Sequence, residues 1–334
     1  MKVSIRDLSK MTGFSPATIS NALNHKKGVN RETAEEIFRV ARETGYLSAN
    51  AVTKIRLVIF KKNGQILEET PFFQQMIEGI EEECHRLGYE MVISHVDQRN
   101  PDYQKQVRDL LEEQGVGIVL LGTEMMDGDL SLYRNASCPV LLLDHWTESM
   151  DFNSVLINNA DAARAITEHL LDNGHREVGY LRGNYRIKAF RSRFIGFQTA
   201  LKKYKVPYKE EYTVTVGTYM STACQDMLEY LKKKPKLPTA FFADNDIIAL
   251  GAMKALQEMG YRIPEDISIV GFDDLTFSEI SSPPLTTLRV EKREMGKMAV
   301  RRLVELIDGI GTSTVTKTQV CPKIVYRNTV KNIK

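Results

Sequence analysis

Between Ser15 and Asn24 the chain places small hydroxyl and amide side chains at helical spacing: Ser15-Pro-Ala-Thr-Ile-Ser-Asn-Ala-Leu-Asn24. Ile19, Ala22 and Leu23 fall on one face of such a helix. Pro16, Ala17, Thr18, Ser20, Asn21 and Asn24 fall on the other. Short polar groups on an exposed helix approach base edges closely, and amides pair bidentately with adenine. Upstream, Ile5, Leu8 and Met11 form the apolar stripe of a first helix, capped by Ser4 with Asp7 three residues on. Gly13 then turns the chain, and Ser15 caps a second helix with Pro16 at its first position. A bracing helix, a glycine turn and a short polar second helix form a helix-turn-helix, whose second helix enters the major groove. The plain alternative is a generic three-helix bundle. Charge bears on the choice: residues 1–54 carry nine Lys or Arg against five acids, net +4, while the remainder is −2. A basic end on a slightly acidic body fits a small nucleic-acid-facing module.

No catalytic arrangement presents itself. GxSxG, a phosphate-binding P-loop and HExxH are missing, and Gly115-x-Gly117 lacks a third glycine. The six histidines show no metal-ligand spacing, so neither an enzyme nor a metal or other cofactor is expected. Four dispersed cysteines read as reduced, mostly buried thiols of a cytoplasmic protein. No apolar leader core opens the sequence and no run approaches the ~20 residues of a membrane span.

The elements beyond the basic end follow a different rhythm. Asn30 caps a third helix with Ala34, Ile37, Phe38 and Ala41 on its apolar face, ending at Gly45. From Ile55 onward, short β-branched runs alternate with amphipathic stretches. Strands are expected at 55–60, 90–95, 117–121, 140–143, 155–157, 178–181, 239–242 and 267–271. Helices are expected at 73–87, 102–113, 160–173, 193–204, 221–233 and 247–259. Near-continuous apolar strands alternating with helices mean parallel sheets covered on both faces. So many strands point to two α/β lobes, a repeat at the scale of a lobe.

Short segments in a fixed order carry a resemblance. They are Asp7-Leu8-Ser9, Thr12-Gly13, Thr18-Ile19-Ser20, Leu23-Asn24 and Gly45-Tyr46, then Asp144 after an apolar strand. They continue with Arg193-Phe-Ile-Gly-Phe197, Asp244-Asn245-Asp246, Ile267-Ser-Ile-Val-Gly-Phe-Asp-Asp274, Pro283-Pro-Leu-Thr-Thr287 and Arg327-Asn-Thr329. In this order the chain resembles the LacI/GalR family of transcription regulators along nearly its whole length. The resemblance implies an all-α DNA-binding headpiece (1–46), a short linker (47–54) and a two-lobed core (55–330) shaped like periplasmic sugar-binding proteins. Lobe 1 would take about 55–157 and 290–319, and lobe 2 about 158–289 and 320–330. It further implies a homodimer on near-palindromic double-stranded operator DNA, with a sugar-like effector held between lobes, and a repressor as the working form. The chief rival is a protein that only captures solute.

The candidate DNA contacts are Ser4, Ser15, Pro16, Ala17, Thr18, Ser20, Asn21, Asn24, His25 and Arg31. The candidate effector contacts are Phe72, Phe73, Asp144, Trp146, Arg193, Asn245 and Asp273. A polyol needs bidentate donors and acceptors plus an apolar plate. Arg193, Asn245, Asp273 and Asp144 would supply the polar set, and Phe73 or Trp146 the plate; core packing is the alternative for Phe72 and Trp146, and an ion pair for Arg193 with Asp273. The run Arg182, Arg186, Lys188, Arg191, Arg193 is either a solvated face or a seat for an anionic, for instance phosphorylated, effector. Two departures from the family pattern stand out. Asn21 replaces an arginine that often reads guanine. The hinge pattern P-N-x-x-A-R-x-L has no clear counterpart between Tyr46 and Ile55, so an extended linker without a minor-groove wedge is expected. Without a heptad run near Lys334, a dimer is expected in preference to a tetramer.

Overall fold

The computed structural model describes residues 3–23, 26, 28–46, 52–68, 71–309 and 314–334, with only the backbone of Arg31. Three helices open the chain: α1 (Ile5–Thr12), α2 (Pro16–Leu23) and α3 (Arg31–Glu43). They share one small core of Leu8, Ile19, Ala22, Ala34, Ile37, Val40 and Ala41, edged by Phe14, Leu23, Val29 and Tyr46. Ser4 caps α1 as expected. Its hydroxyl accepts from the Asp7 N–H at 3.3 Å, and the Asp7 carboxylate accepts from the Ser4 N–H at 2.9 Å. These bonds to Ser4 hold the Asp7 carboxyl below the usual carboxylate range. Asn30 caps α3 by accepting from Thr33 N–H at 2.8 Å.

The chain divides into two compact units. The first contains Met1–Asn63, Gln74–Val155 and Lys292–Thr318; the second contains Gly64–Phe73, Leu156–Glu291 and Gln319–Lys334. Within the first, β1 (Lys54–Lys61), α4 (Phe72–Arg86), β2 (Glu90–Asp97), α5 (Tyr103–Glu112), β3 (Val116–Leu121), β4 (Val140–Leu143) and β5 (Asn153–Ile157) follow one another. In the second come α6 (Asn159–Asp172), β6 (Val178–Gly183), α7 (Lys188–Lys203), β7 (Thr213–Val216), α8 (Met220–Lys232), β8 (Ala240–Ala243), α9 (Asp246–Glu258), β9 (Ser268–Val270), α10 (Thr276–Ile280) and β10 (Thr287–Arg289). The chain then returns through α11 (Lys292–Ile307), β11 (Lys317–Val320) and β12 (Lys323–Val325).

The larger sheet runs β11-β5-β4-β3-β1-β2 and the second β7-β6-β8-β9, while β10 and β12 pair antiparallel. The β1–β2, β1–β3, β3–β4 and β4–β5 pairs are parallel, as are all pairs of the four-stranded sheet. Each sheet places its second strand outside its first and its third on the other side. The order therefore reverses between β1 and β3, and again between β6 and β8. In open α/β sheets the carboxyl ends of the strands at such a reversal leave a crevice for ligands. The core of the larger sheet is built from Val58, Phe60, Val116, Ile118, Leu120 and Leu142, with Val107 and Leu111 of α5 packed on it. Among the described residues no helix is long and apolar enough to cross a membrane.

Candidate functional site

In the headpiece, the turn before α2 is pinned by the Ser9 hydroxyl, which donates to the Phe14 carbonyl at 2.6 Å. Ser15 accepts from Thr18 N–H at 3.1 Å, and the two hydroxyls lie 2.8 Å apart. Ser15, Pro16 and Ala17 are exposed, and Thr18, Ser20 and Asn21 half-exposed, while Ile19 and Ala22 are buried. The structure thus gathers six of the ten candidate DNA contacts at and along one exposed side of α2. Ser4 sits at the start of α1, its hydroxyl in the capping box. Asn24 and His25 lie outside the described residues, as does the Arg31 side chain.

In the second unit, Arg193 is the hub. α7 presses against the start of α6 because Gly196 carries no side chain; a Cβ there would meet the Ala160 carbonyl oxygen at 2.1 Å. That approach brings the buried Arg193 guanidinium to the carboxyl end of the four-stranded sheet. Nε donates to Asn159 Oδ1 at 2.8 Å, and the terminal nitrogens donate to the Asp244 carbonyl at 2.6 Å and to Asp273 Oδ1 at 3.3 Å. The Phe272 ring lies 3.6 Å from the guanidinium carbon. Asn245 caps α9 by accepting from Ile248 N–H at 3.0 Å. Of the four residues expected as one polar set, Arg193, Asn245 and Asp273 gather at one sheet end, and Asp144 lies in the first unit. Asp273 has φ 119° and Asp274 φ 48°, left-handed backbone that costs energy outside glycine and concentrates at ligand sites.

In the first unit, Asp144 follows β4 with φ 55° and accepts from the Thr123 hydroxyl at 2.7 Å. Trp146 is 42 % exposed, with the Lys317 ammonium 5.5 Å from its ring. Phe72 and Phe73, which belong to the second unit, are buried and meet edge to face with ring centres 5.0 Å apart. Of the basic run, in the second unit, Arg182, Arg186 and Arg193 face carboxylates, Arg193 facing Asp273 as described. Arg186 bonds the Asp244 carboxylate, and Arg182 reaches Glu210 at 3.5 Å.

Two buried carboxylates, one at each reversal point, were not among the candidate site residues: Glu124 had no motif, and Asp244 was noted only as part of one. Asp244 accepts from Gly183 N–H at 2.8 Å and from the Tyr180 hydroxyl. Burial pushes its carboxyl up, and the Arg186 guanidinium beside it opposes that shift. Glu124 occupies the equivalent place in the larger sheet, accepting from Lys62 N–H at 2.8 Å and Asn63 N–H at 3.1 Å. In both, an acid just after the third strand holds the backbone just past, or at the end of, the first.

Comparisons with known proteins bear on this geometry. A family model described as a periplasmic binding protein-like domain matches residues 167–330. The HTH-type transcriptional repressor PurR of Mannheimia succiniciproducens is 31% identical over 333 residues, covering 98% of this chain and 99% of that repressor. The chain belongs to the LacI/GalR family of transcription regulators. Members of known structure agree. The transcriptional regulator CelR in complex with cellobiose matches at TM-score 0.74 and 25% identity over 98% of this chain and 100% of that one. The lac repressor dimer bound to operator and the anti-inducer ONPF matches at TM-score 0.72 and 25% identity, over 99% and 100%.

Several residues of the motifs that carried the resemblance serve as internal braces here. Asp246 accepts from Leu275 N–H at 2.9 Å and the Ser278 hydroxyl at 2.7 Å. Asp274 holds Arg289 at 2.6 Å and Arg327 at 2.7 Å. Thr329 donates to the Ile269 carbonyl at 2.6 Å and accepts from Thr286 N–H at 2.9 Å, tying the C-terminal segment to the sheet.

Proposed function

We propose that the protein represses transcription as a homodimer bound to a near-palindromic operator, in the cytoplasm, under the control of a small neutral polyhydroxyl effector. Arg193 with Asp273 is the observation that carries the effector reading. A desolvated guanidinium and a carboxylate fixed side by side over an aromatic ring, at a sheet's carboxyl end, offer donors and acceptors to vicinal hydroxyls. Asn245 extends that set, and Asp144 and Trp146 supply similar chemistry at the end of β4. The cellobiose complex of CelR supports a sugar as the ligand class. Pairing within the basic run argues for a neutral ligand over a phosphorylated one, since Arg182, Arg186 and Arg193 each already face a carboxylate. Dimerisation would use the exposed apolar face of α10, where Phe277 and Ile280 flank a cavity of about 250 Å³ lined also by Met220, Leu250 and Met253. The lac repressor dimer supports a second copy as its occupant.

Thermal unfolding across neutral sugars, sugar acids and sugar phosphates tests the reading. A true effector at 100 times its Kd adds about 2.7 kcal/mol of stability. A neutral sugar should raise the melting temperature of the wild type and raise that of Asp273→Asn clearly less at the same concentration. Stabilisation by sugar phosphates alone, or equally in the variant, would contradict it.

A further inference from the structure

The contact that α3 makes with the first unit of the core is not explained by DNA reading or by effector binding. Arg42, in the last turn of α3, has only 2% of its side chain exposed. An arginine is almost never buried so fully unless its donors are used. Here Nε and one terminal nitrogen fork onto the Leu87 carbonyl, at 3.0 and 2.6 Å, just past the end of α4. The negative end of a helix favours a cation there. The other nitrogen donates to the Tyr89 hydroxyl at 2.9 Å and lies 3.6 Å from Asp308, at the end of α11. The guanidinium is stacked on Tyr89, 3.9 Å from the ring centre. Gly88, at φ +72°, lets the helices close, because a Cβ there would meet Arg39 Cγ at 3.0 Å. At the margin, Arg86 pairs with Glu35 of α3 at 3.1 Å.

We propose that Arg42 is a positioning residue that locks the DNA-reading headpiece onto its own core lobe, and so sets the operator half-site spacing the protein accepts. The proposal rests on the homodimer reading given above. Arg42 fixes α3. The shared headpiece core of Ile19, Ala22, Ile37 and Ala41 then fixes α2 relative to α3. Seven residues separate Tyr46 from Lys54. A connection of that length spans at most about 25 Å, against about 3.4 Å for a base-pair step. Chain length alone therefore selects no spacing, whereas a buried, forked and stacked guanidinium does. Moving one half-site by one base pair also rotates it about 35° around the DNA axis, which a locked headpiece does not follow.

The test uses the full chain and a random-sequence duplex pool enriched by the wild type. The recovered palindrome is resynthesised with its halves one base pair closer or farther apart. Arg42→Met with Asp308→Asn removes the lock without stranding a buried charge, and Arg42→Ala serves as the second variant. The wild type should lose about tenfold or more in affinity on either respaced duplex, comparable to a mismatched base pair. The variants should lose less than about threefold while keeping the same base preferences within a half-site. A headpiece that had merely unfolded would lose all duplexes alike. Hydrogen exchange without DNA reads the dock separately: peptides from 31–46 should exchange about tenfold faster in the variants, with β4 unchanged. An equal spacing penalty in wild type and variants, or equal exchange over 31–46, would overturn the proposal. If the wild type enriches no palindrome, the dimeric operator reading falls, and exchange over 31–46 still judges the dock.

Discussion

α2 and the carboxyl end of the four-stranded sheet handle polar groups in opposite ways. On α2 the hydroxyls and the Asn21 amide stand at the surface, held by local bonds such as Ser15 with Thr18. At the sheet end the polar groups are buried, charged and cross-linked between α6, α7 and the loops after β8 and β9. The first arrangement suits a rigid external partner whose groove supplies the remaining bonds. The second suits a small ligand that must find its donors and acceptors already placed, since ordering them at the moment of binding would cost affinity. Substitution should therefore act differently in the two regions: on specificity in α2, on both stability and ligand affinity at the sheet end.

The sheet end should show the largest effect. Arg193→Ala leaves Asp273 buried without its cation, and breaking a buried pair costs about 3–5 kcal/mol. Calorimetric unfolding should register that loss. Asp273→Asn is milder for the fold but should weaken effector binding by about 1.5–3 kcal/mol, the worth of a charge-assisted hydrogen bond. Isothermal titration with the sugar found by thermal shift measures it. Unchanged affinity would remove Asp273 from the site.

Asn21→Ala tests the other half of the comparison. Operator affinity should fall by about 1–3 kcal/mol at one base pair and relax its preference there. Binding to duplexes carrying each of the four pairs at that position separates this from a uniform loss. Ser15→Ala should in addition lower headpiece stability by about 1 kcal/mol through the lost cap, seen in the melting of the full chain.

The smallest effect is on pH. His175 is buried, with ring nitrogens 2.9 Å from the Thr239 hydroxyl and 3.1 Å from the Lys331 carbonyl oxygen. Burial holds its pKa below the ordinary value of 6.5. The unfolded chain then binds a proton that the folded chain refuses, so stability is complete above pH 6.5 and declines as pH falls below it. Melting temperatures from pH 8 to 5.5 should follow that course, and His175→Gln should flatten it.

The two regions also differed in how far the sequence revealed them. The headpiece was legible almost to the residue, because Ser4, Gly13, Ser15 and Asn30 mark helix ends by local chemistry. All eight expected strands are present within a few residues of their expected bounds. β7, β10, β11 and β12 were not expected: each carries an exposed residue among its three or four, whereas the equally short β4, β8 and β9 are near-continuous apolar, buried runs. α11 was also missed, although Met295, Ala299, Leu303 and their neighbours mark its buried face. At the sheet end, Arg193 and Asp273 were legible as site residues through their motifs, whereas Asp244 was legible only as a motif residue and not as a brace, and Glu124 of the larger sheet not at all. Their role depends on which strands lie beside each other, and strand order is not written in local spacing. The expected extended linker falls mostly on residues 47–51, outside the described residues. The Arg42 dock joins residues forty-five and more positions apart and left no local pattern.

The central claim is that the headpiece reads DNA and the sheet end controls that reading. A fluorescence anisotropy titration tests it most directly, using a duplex from the region upstream of the protein's own gene with the full chain and a chain lacking residues 1–46. The full chain should bind, and saturating sugar should change its affinity by about 1–3 kcal/mol. The truncated chain should not bind the duplex yet should still be stabilised by the sugar. Binding by the truncated chain, or an affinity of the full chain indifferent to the sugar, would contradict the account.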